Sequence, residues 1–299
     1  MLLCVRVSTT RGDEMPMDGF ISKIQRNSET DGPGIRTAVL AVGCPMKCLW
    51  CPNPELIGDA AKFLYHPRRC VGCGSCVALS GGEPVCYYDA YEDVGETISD
   101  RELAARLLGD RALYESTGGG VTYSGGDPAM QAEFFFEVTR RLKDSGVHVA
   151  LDTAGFFPWE KIAPLVAAVD LVLYSIKTLN RGLHKRYTGV DNKLILENAL
   201  RIADMHKDMI VRMVLVPGVN DSEDEITGRL KFVKSLGKNV KVDIIKYQKL
   251  DAGKYASLAM IEMMEGTTEC PDILADHAIN IARNMGIDVV VRSHYETIL

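Results

Sequence analysis

Short apolar segments rich in β-forming residues alternate along this chain with amphipathic segments of helical period. The candidate strands are 35–42, 120–124, 147–152, 171–176, 210–216, 240–246 and 287–291. The candidate helices are 100–108, 129–144, 159–168, 193–206, 223–236 and 272–285. Such alternation is typical of a parallel sheet covered by helices. The units are too few for a closed eight-stranded barrel, so the sequence predicts an α/β fold built as a partial (β/α)6 barrel.

Unusual polar residues stand where the predicted strands end. Asp127 closes a Ser-Gly-Gly-Asp-Pro turn after the second strand, Asp152 ends the third strand, and Lys177 follows the fourth. Arg212 lies in the fifth strand. Because α/β folds build their active sites at the carboxyl edge of the parallel strands, we expect these side chains to line one rim.

Cysteines are the anomaly of composition: the chain has nine, mostly between positions 44 and 86. Such density favours disulfides in a secreted protein and metal in a cytosolic enzyme. Cys44, Cys48 and Cys51 follow the first strand with the spacing C-x3-C-x2-C. Three thiolates on one short loop can bind three irons of a 4Fe-4S cluster and leave the fourth iron open to a ligand. Zinc is the alternative, but zinc favours paired C-x2-C units.

Several further motifs accompany this loop, and together they resemble the glycyl radical enzyme activating enzymes of the radical S-adenosylmethionine (SAM) superfamily, relatives of pyruvate formate-lyase activating enzyme. The resemblance extends from about Phe20 to Tyr255. Its motifs are the cysteine loop, Asp31-Gly32-Pro33-Gly34-Ile35-Arg36-Thr37, Asn53-Pro54-Glu55, Ser124-Gly125-Gly126-Asp127, His184 with Thr188-Gly189, and Arg212 leading into Val216-Pro217-Gly218.

The resemblance implies a chemistry. A 4Fe-4S cluster on Cys44, Cys48 and Cys51 would bind SAM through its open iron. One electron from the reduced cluster would cleave SAM to methionine and a 5′-deoxyadenosyl radical, which takes a hydrogen atom from a glycine of a partner enzyme. A closed, dry site would protect that radical. The expected SAM-binding residues are Trp50, Gly125, Gly126, Asp127, Asp152, Lys177 and Arg212.

Each of these residues also has a structural interpretation. Asp127 and Asp152 are ordinary candidates for helix caps, and Lys177 and Arg212 for salt bridges at the rim. The chain departs from the family pattern at Asp127, which replaces a glutamate, and at Ser175, which replaces an aspartate and weakens the case for a monovalent cation site. Gln248 stands where a histidine is often found.

Residues 60–96 interrupt the first β/α step and predict an inserted iron–sulfur minidomain. Its spacing, C-x2-C-x2-C-x9-C, resembles a bacterial ferredoxin half-motif with a stretched last interval. The four cysteines suffice for one auxiliary 4Fe-4S cluster, with zinc as the alternative. The ligands would be Cys70, Cys73, Cys76 and Cys86. The cluster would relay an electron to the SAM cluster or help to dock the partner, and the sequence does not decide between these two roles.

Bulk properties limit the remaining choices. The formal net charge of −6 gives no support to a nucleic-acid partner, and the apolar runs are too short to cross a bilayer. Residues 1–17 are expected to form a disordered extension before a barrel at 18–299. An oxygen-labile open cluster implies an anaerobic, reducing cytoplasm.

The leading hypothesis is therefore an activase with a glycyl radical enzyme as its protein substrate and a flavodoxin or ferredoxin as its reductant. Two alternatives stay open at this point. One is a radical SAM enzyme of the same scaffold that acts on a small molecule or peptide. The other, from a different class, is a non-catalytic iron–sulfur electron carrier or zinc-binding protein.

Overall fold

A computed structural model describes residues 16–59, 62–77, 86–250 and 253–290 of the chain. The strands in this part are β1 (Asp18–Ser28), β2 (Arg36–Ala41), β3 (Phe63–Tyr65), β4 (Tyr91–Asp93), β5 (Glu96–Ser99), β6 (Gly120–Gly125), β7 (Val149–Thr153), β8 (Leu171–Ser175), β9 (Asp208–Leu215) and β10 (Val240–Lys246). The α-helices are α1 (Asp100–Leu108), α2 (Arg111–Thr117), α3 (Ala132–Asp144), α4 (Trp159–Ala168), α5 (Arg181–Thr188), α6 (Lys193–Asp204), α7 (Glu223–Ser235), α8 (Lys254–Ser257) and α9 (Asp272–Asn284).

In the described residues, one large sheet has the strand order β10-β9-β8-β7-β6-β2-β1-β5. All neighbours from β10 to β2 pair in parallel, which makes six parallel strands. This confirms the expected mostly parallel α/β fold with about six β/α units. The sequence reading missed β1 and β5, which extend the sheet in antiparallel fashion beyond β2.

The expected strand at 287–291 was wrong for the part that the structure describes. Val289 makes only an isolated bridge to Val242 of β10. The bridge consists of Val242 N donating to Asp288 O at 2.9 Å and Val290 N donating to Val242 O at 2.8 Å. A β-rich run at the end of the chain resembles a strand in composition, but here it makes too few ladder bonds to become one.

The two faces of the sheet bury separate sets of side chains, as the period of two in a strand requires. Val172, Val211 and Met213 belong to the main core between sheet and helices. Leu173 and Ile210 belong to a smaller cluster on the other face, inside the curve of the sheet. Polar residues on that inner face therefore need partners or a ligand.

Helix ends follow the chemistry of the sequence. Ser99 Oγ accepts a hydrogen bond from Glu102 N, and Ser222 Oγ accepts one from Glu225 N, as expected for N-caps with a glutamate at the third helical position. Helices α1 and α4 have the predicted bounds. The short helices α2 and α5 were not predicted, because one or two turns leave little periodic signal.

The cysteine-rich insert is described in part, with 60–61 and 78–85 outside the described residues. Strands β3 and β4 form an antiparallel hairpin in it, and its ferredoxin-like character stays a prediction. Of the expected N-terminal extension, 1–15 lies outside the described residues. Met17 N donates to the side-chain Oδ1 of Asp100 at 3.0 Å, and Asp100 N donates back to Met17 O at 2.8 Å. In the part of the chain that is described, no helix has the length and apolar character that a bilayer crossing needs.

Candidate functional site

The loop that carries Cys44, Cys48 and Cys51 leaves the carboxyl end of β2 and is fixed by backbone hydrogen bonds. Cys44 N donates to Gly58 O at 3.0 Å, and Gly58 N donates back to Cys44 O at 2.9 Å. Lys47 N donates to Thr188 O at 2.8 Å, which ties the middle of the loop to the end of α5. The loop is thus held at its base and along its length.

The end of α5 is itself closed by the His184–Thr188–Gly189 motif. His184 Nδ1 donates to Val190 O at 2.7 Å, and Thr188 Oγ1 donates to His184 O at 2.8 Å. Gly189 follows with φ of 82°, the left-handed conformation that ends helices and suits glycine. The motif therefore shapes the surface on which the cysteine loop rests.

A second support comes from α8, which follows β10. Lys254 Nζ donates to Pro52 O at 3.1 Å, to Asn53 Oδ1 at 2.9 Å and to Glu55 Oε1 at 2.7 Å. Tyr255 Oη donates to Cys51 O at 3.3 Å. These contacts hold the segment that follows the third cysteine.

The three thiols of the loop face one another and Lys177. Burial raises the pKa of Cys44 to about 12, with a further contribution from Asp127, and burial also raises those of Cys48 and Cys51 to about 11 and 12. In all three cases the Lys177 ammonium acts in the opposite direction. Thiolates are the form that binds metal. These half-buried thiols fit a positively charged iron centre, because its charge would stabilise the thiolates that desolvation disfavours.

The described residues contain no group of three His, Cys, Asp or Glu side chains close enough to bind a single metal ion. A cubane cluster distributes its cysteine ligands over different irons. The cysteines are therefore still predicted, rather than observed, ligands.

The glycine turn after β6 approaches β2 and the cysteine loop very closely. Gly125 has φ of 100°, and a Cβ there would lie 2.7 Å from Ala41 N. A Cβ on Gly126 would lie 2.2 Å from Gly43 O. Backbone hydrogen bonds complete the contact, since Gly126 N donates to Ala41 O at 2.9 Å and Asp127 N to Gly43 O at 2.6 Å. Only glycine fits at Gly126 without displacing the residue before the first cysteine.

The Asp127 carboxylate is buried and bound within the protein. Thr153 Oγ1 donates to it at 2.8 and 3.0 Å, Ala154 N at 3.0 Å and Ala129 N at 3.2 Å. Burial raises its pKa to about 6 in spite of these donors. Asp127 thus caps the turn that follows it and joins the ends of β6 and β7.

Arg212 is the centre of a buried ion-pair network on the inner face of the sheet. Its guanidinium lies 2.5 Å from Asp152, 3.6 Å from Asp31 and 3.5 Å from Asp243, and donates to Thr30 O at 2.5 Å. Burial alone would lower the pKa of Arg212, but the carboxylates, Asp152 above all, raise it. Ser124 Oγ also donates to Asp152, at 3.0 Å. The network joins β7, β9 and β10 to the Asp31 loop.

A cavity of about 650 Å³ lies on the other side of this network. Its lining includes Asp243 and the starts of β8 and β9, at Leu171 and Asp208. The Arg212 network therefore separates the rim with the cysteine loop from the amino-terminal end of the parallel strands.

Trp50 is buried, and its ring lies 6.1 Å from that of Tyr187 on α5. Lys177 is half-buried; its backbone carbonyl accepts a hydrogen bond from Asn220 Nδ2 at 2.8 Å. No carboxylate of the described residues forms an ion pair with its ammonium group. Lys177 is accordingly a charged group at the rim that remains available for a ligand.

The cysteines of the insert have a different environment. Cys70 and Cys73 are exposed, and the pKa of each is lowered because hydroxyl groups donate to the sulfur, from Tyr65 and Ser75 respectively. Ser75 Oγ lies 3.3 Å from Cys73 Sγ. Cys86 Sγ accepts from a backbone N–H, that of Ala90, at 3.4 Å. Donors to sulfur suit thiolate ligands of a metal cluster.

The insert hairpin places aromatic rings beside these thiols. Tyr65 and Tyr91 are cross-strand partners with ring centroids 5.1 Å apart. Burial, followed by Cys76, Cys70 and Cys86, raises the pKa of Tyr91. The described part of the insert therefore places Cys70, Cys76 and Cys86 close to Tyr91.

Comparison with known proteins identifies the family. The pattern of the radical SAM superfamily matches residues 39–230. The chain is 32% identical over 304 residues to a choline trimethylamine-lyase activating enzyme from Oleidesulfovibrio alaskensis, covering 92% of this chain and 98% of that relative. It is 34% identical over 266 residues to a trans-4-hydroxy-L-proline dehydratase activating enzyme from Clostridioides difficile, covering 80% and 87%. The chain belongs to the glycyl radical enzyme activating enzymes of the radical SAM superfamily.

A solved structure agrees with this activating enzyme in fold. A domain of a pyruvate formate-lyase activating enzyme from Bacteroides vulgatus superposes with a TM-score of 0.50 and 24% identity. The superposition covers 58% of this activating enzyme and 99% of that domain.

Some residues that build the site of this activating enzyme were not found from the sequence. Lys254 and Tyr255 carry no recognisable motif, and only the fold brings them to the cysteine loop. Asp243 had a usable signal, because it is a charged residue within an otherwise apolar strand and lies in register with Arg212. A charge at such a position of a buried strand requires a buried partner.

Proposed function

We propose that this activating enzyme reductively cleaves SAM and uses the resulting 5′-deoxyadenosyl radical to take a hydrogen atom from a glycine of a partner glycyl radical enzyme. The observation that supports this best is the convergence of the cysteine loop, the Gly125–Gly126 turn and the Lys177 ammonium at one rim of the sheet. Among the described residues, no carboxylate forms an ion pair with that ammonium. That rim is the edge where parallel α/β folds bind their ligands.

Cys44, Cys48 and Cys51 are the residues that would hold the SAM-binding 4Fe-4S cluster. When bound, this cluster supplies the electron that breaks the sulfonium C–S bond of SAM. The protein's own contribution is to keep the loop in place through Thr188, Gly58 and α8, and to exclude water from the reacting carbon.

The proposed SAM contacts divide into three kinds. Gly125 and Gly126 leave the backbone accessible to the amino group of SAM, and Asp127 acts on SAM through this turn, because its own oxygens already accept hydrogen bonds from Thr153 and from backbone N–H groups. Lys177 binds the carboxylate as an ion pair. Trp50 packs near the adenine.

Arg212 and Asp152 form the polar floor below the bound SAM. Their ion pair, 2.5 Å long, positions Asp152 for a contact to the ribose or another polar edge of SAM. In this proposal Arg212 is a positioning residue, because its Nη1 and Nη2 groups already donate to Asp152 and Thr30 O, and Asp31 and Asp243 lie within ion-pair distance of it.

We also propose one auxiliary 4Fe-4S cluster on Cys70, Cys73, Cys76 and Cys86, in an insert that covers about residues 60–96. The thiolate-favouring donors to these sulfurs support it. A flavodoxin or ferredoxin in an anaerobic cytoplasm would supply the electrons. Replacing the four cysteines with serine should remove about half of the iron from the reconstituted protein, and retention of all the iron would refute the auxiliary cluster.

The proposed reaction is tested by anaerobic reconstitution with iron and sulfide, reduction with dithionite, and addition of SAM. We expect 5′-deoxyadenosine from the wild type and none from Cys48→Ala. The auxiliary-site variant Cys73→Ser is the matched control and should still cleave SAM with dithionite as the reductant. Absence of deoxyadenosine from the wild type with its clusters intact would refute the proposal and favour an electron carrier.

A further inference from the structure

The segment that follows β10 bears large apolar side chains that face solvent. Ile261 is 80% exposed, Met263 63% and Met260 41%. Met264, between them and the next turn, is buried in the main core and anchors the segment. Apolar side chains gathered in this way on a surface commonly mark an interaction site, and methionine suits a surface that must adapt to its partner.

The position of this segment connects it to the candidate site. Met260 N donates to Tyr255 O at 2.8 Å, and Tyr255 Oη in turn donates to Cys51 O. Cys270 N donates to Tyr247 O at 2.9 Å, so the far end of the segment returns to the carboxyl end of β10. The apolar side chains therefore belong to the same rim as the cysteine loop.

The backbone before the apolar residues is constrained. Ala259 has φ of 54°, a left-handed conformation that is unfavourable for a residue with a Cβ. It lies two residues after the end of α8 and directly before Met260. Strain of this kind persists only where the surroundings enforce it, so the fold holds the backbone in place where the apolar segment begins.

We propose that Met260, Ile261 and Met263 form a docking surface for the partner glycyl radical enzyme. This inference rests on the proposed function, which requires a macromolecular substrate to approach the rim and place one of its glycines inside it. Because Tyr255 links this segment to the cysteine loop, a protein that covers that rim lies beside the segment after β10. The occupant is accordingly an apolar surface of the partner beside its glycine-bearing loop.

The test compares Ile261→Glu/Met263→Glu with a matched control, Leu200→Glu/Met205→Glu, whose exposed side chains belong to α6 and its end, on the outside of the barrel (44% and 37% exposed). The substrate is a glycyl radical protein from the same organism. Radical formation is followed by EPR over a range of its concentrations, and deoxyadenosine is measured separately without it.

We expect the docking variant to need about tenfold more partner for the same initial rate of radical formation, as for loss of a central interface contact. Its partner-free SAM cleavage should equal that of the wild type, the control should behave as wild type, and Ile261→Leu/Met263→Leu should recover most of the rate. An unchanged partner dependence in the docking variant overturns the docking surface and leaves the proposed function intact.

A fall in partner-free SAM cleavage would also overturn it, by showing that these residues act on the SAM site. If the wild type cleaves SAM but forms no radical on the partner, the proposed function itself fails, and the assigned occupant fails with it.

Discussion

The Arg212 network makes the most demanding prediction about stability. Arg212→Met removes the only guanidinium that lies between Asp31, Asp152 and Asp243 in the described structure. The site is largely shielded from water, since the Arg212 side chain is 9% exposed and that of Asp243 is 1% exposed. Breaking a buried ion pair by removing one partner costs about 3–5 kcal/mol, because the other charge stays buried. At about 2–4 °C per kcal/mol for domains of 150–250 residues, the melting temperature should fall by roughly 10 °C at pH 8.

The pH dependence identifies the cause. Without the guanidinium, the buried Asp243 carboxylate and the partly exposed carboxylates of Asp31 and Asp152 repel one another, which favours proton uptake in the folded variant over the unfolded chain. When the folded state binds more protons, stability rises as the pH falls. The deficit of Arg212→Met relative to wild type should therefore shrink between pH 8 and pH 5.5.

Arg229→Met is the matched control. Arg229 is fully buried, and burial lowers its pKa to about 10, so it stays charged throughout this range. Its guanidinium donates to backbone carbonyls, with Asn220 O nearest at 2.5 Å. Its loss should destabilise the fold with little pH dependence. Thermal unfolding of the reconstituted proteins under anaerobic conditions measures both variants, and equal pH slopes for the two would refute the reasoning.

Three further predictions concern the rim. Gly126→Ala should lower SAM cleavage at least about tenfold, because its Cβ would lie 2.2 Å from Gly43 O and would displace the residue before Cys44. Gly228→Ala lies within α7 and has room for a Cβ, so it should instead stabilise the fold by up to about 1 kcal/mol. Burial raises the pKa of Asp127 to about 6, so its protonated form stabilises the fold, and this stabilisation is lost as the pH rises from about 4 through 6. Asp127→Asn should therefore reduce the pH dependence of the melting temperature over this window. Lys254→Met should destabilise the fold by about 2 kcal/mol, because it leaves the Glu55 carboxylate without its partner. Lys254→Met/Glu55→Gln should destabilise it clearly less, since the double change removes that carboxylate as well. Equal losses of stability in chemical denaturation would argue against this ion pair.

The sequence predicted the parallel core well, because its strands are apolar and bounded by capping residues and glycines. β6 to β10 all appear where periodicity indicated them. It failed for β1, whose alternate residues include Lys23 and Gln25 at an edge of the parallel core. Such a strand is stabilised mainly by its pairing with β2, which is a non-local property.

The position of a candidate residue could be predicted where that residue belongs to a short motif, but its partners could not where they come from distant parts of the chain. The order of motifs placed the cysteine loop, the glycine turn and Lys177 at one rim. The partners of Arg212 could not be read from the sequence, because Asp31, Asp152 and Asp243 lie far apart in the chain. A ligand role and a salt bridge require the same residue type, and the structure shows Arg212 forming salt bridges.

The central claim is tested most directly by EPR of a glycyl radical protein from the same organism after anaerobic incubation with the reduced activating enzyme and SAM. The account predicts a carbon-centred radical on that protein whose hyperfine splitting changes when its glycine is labelled with deuterium, and which appears together with deoxyadenosine. Deoxyadenosine formation without any radical on the partner, or a radical insensitive to labelled glycine, would contradict it.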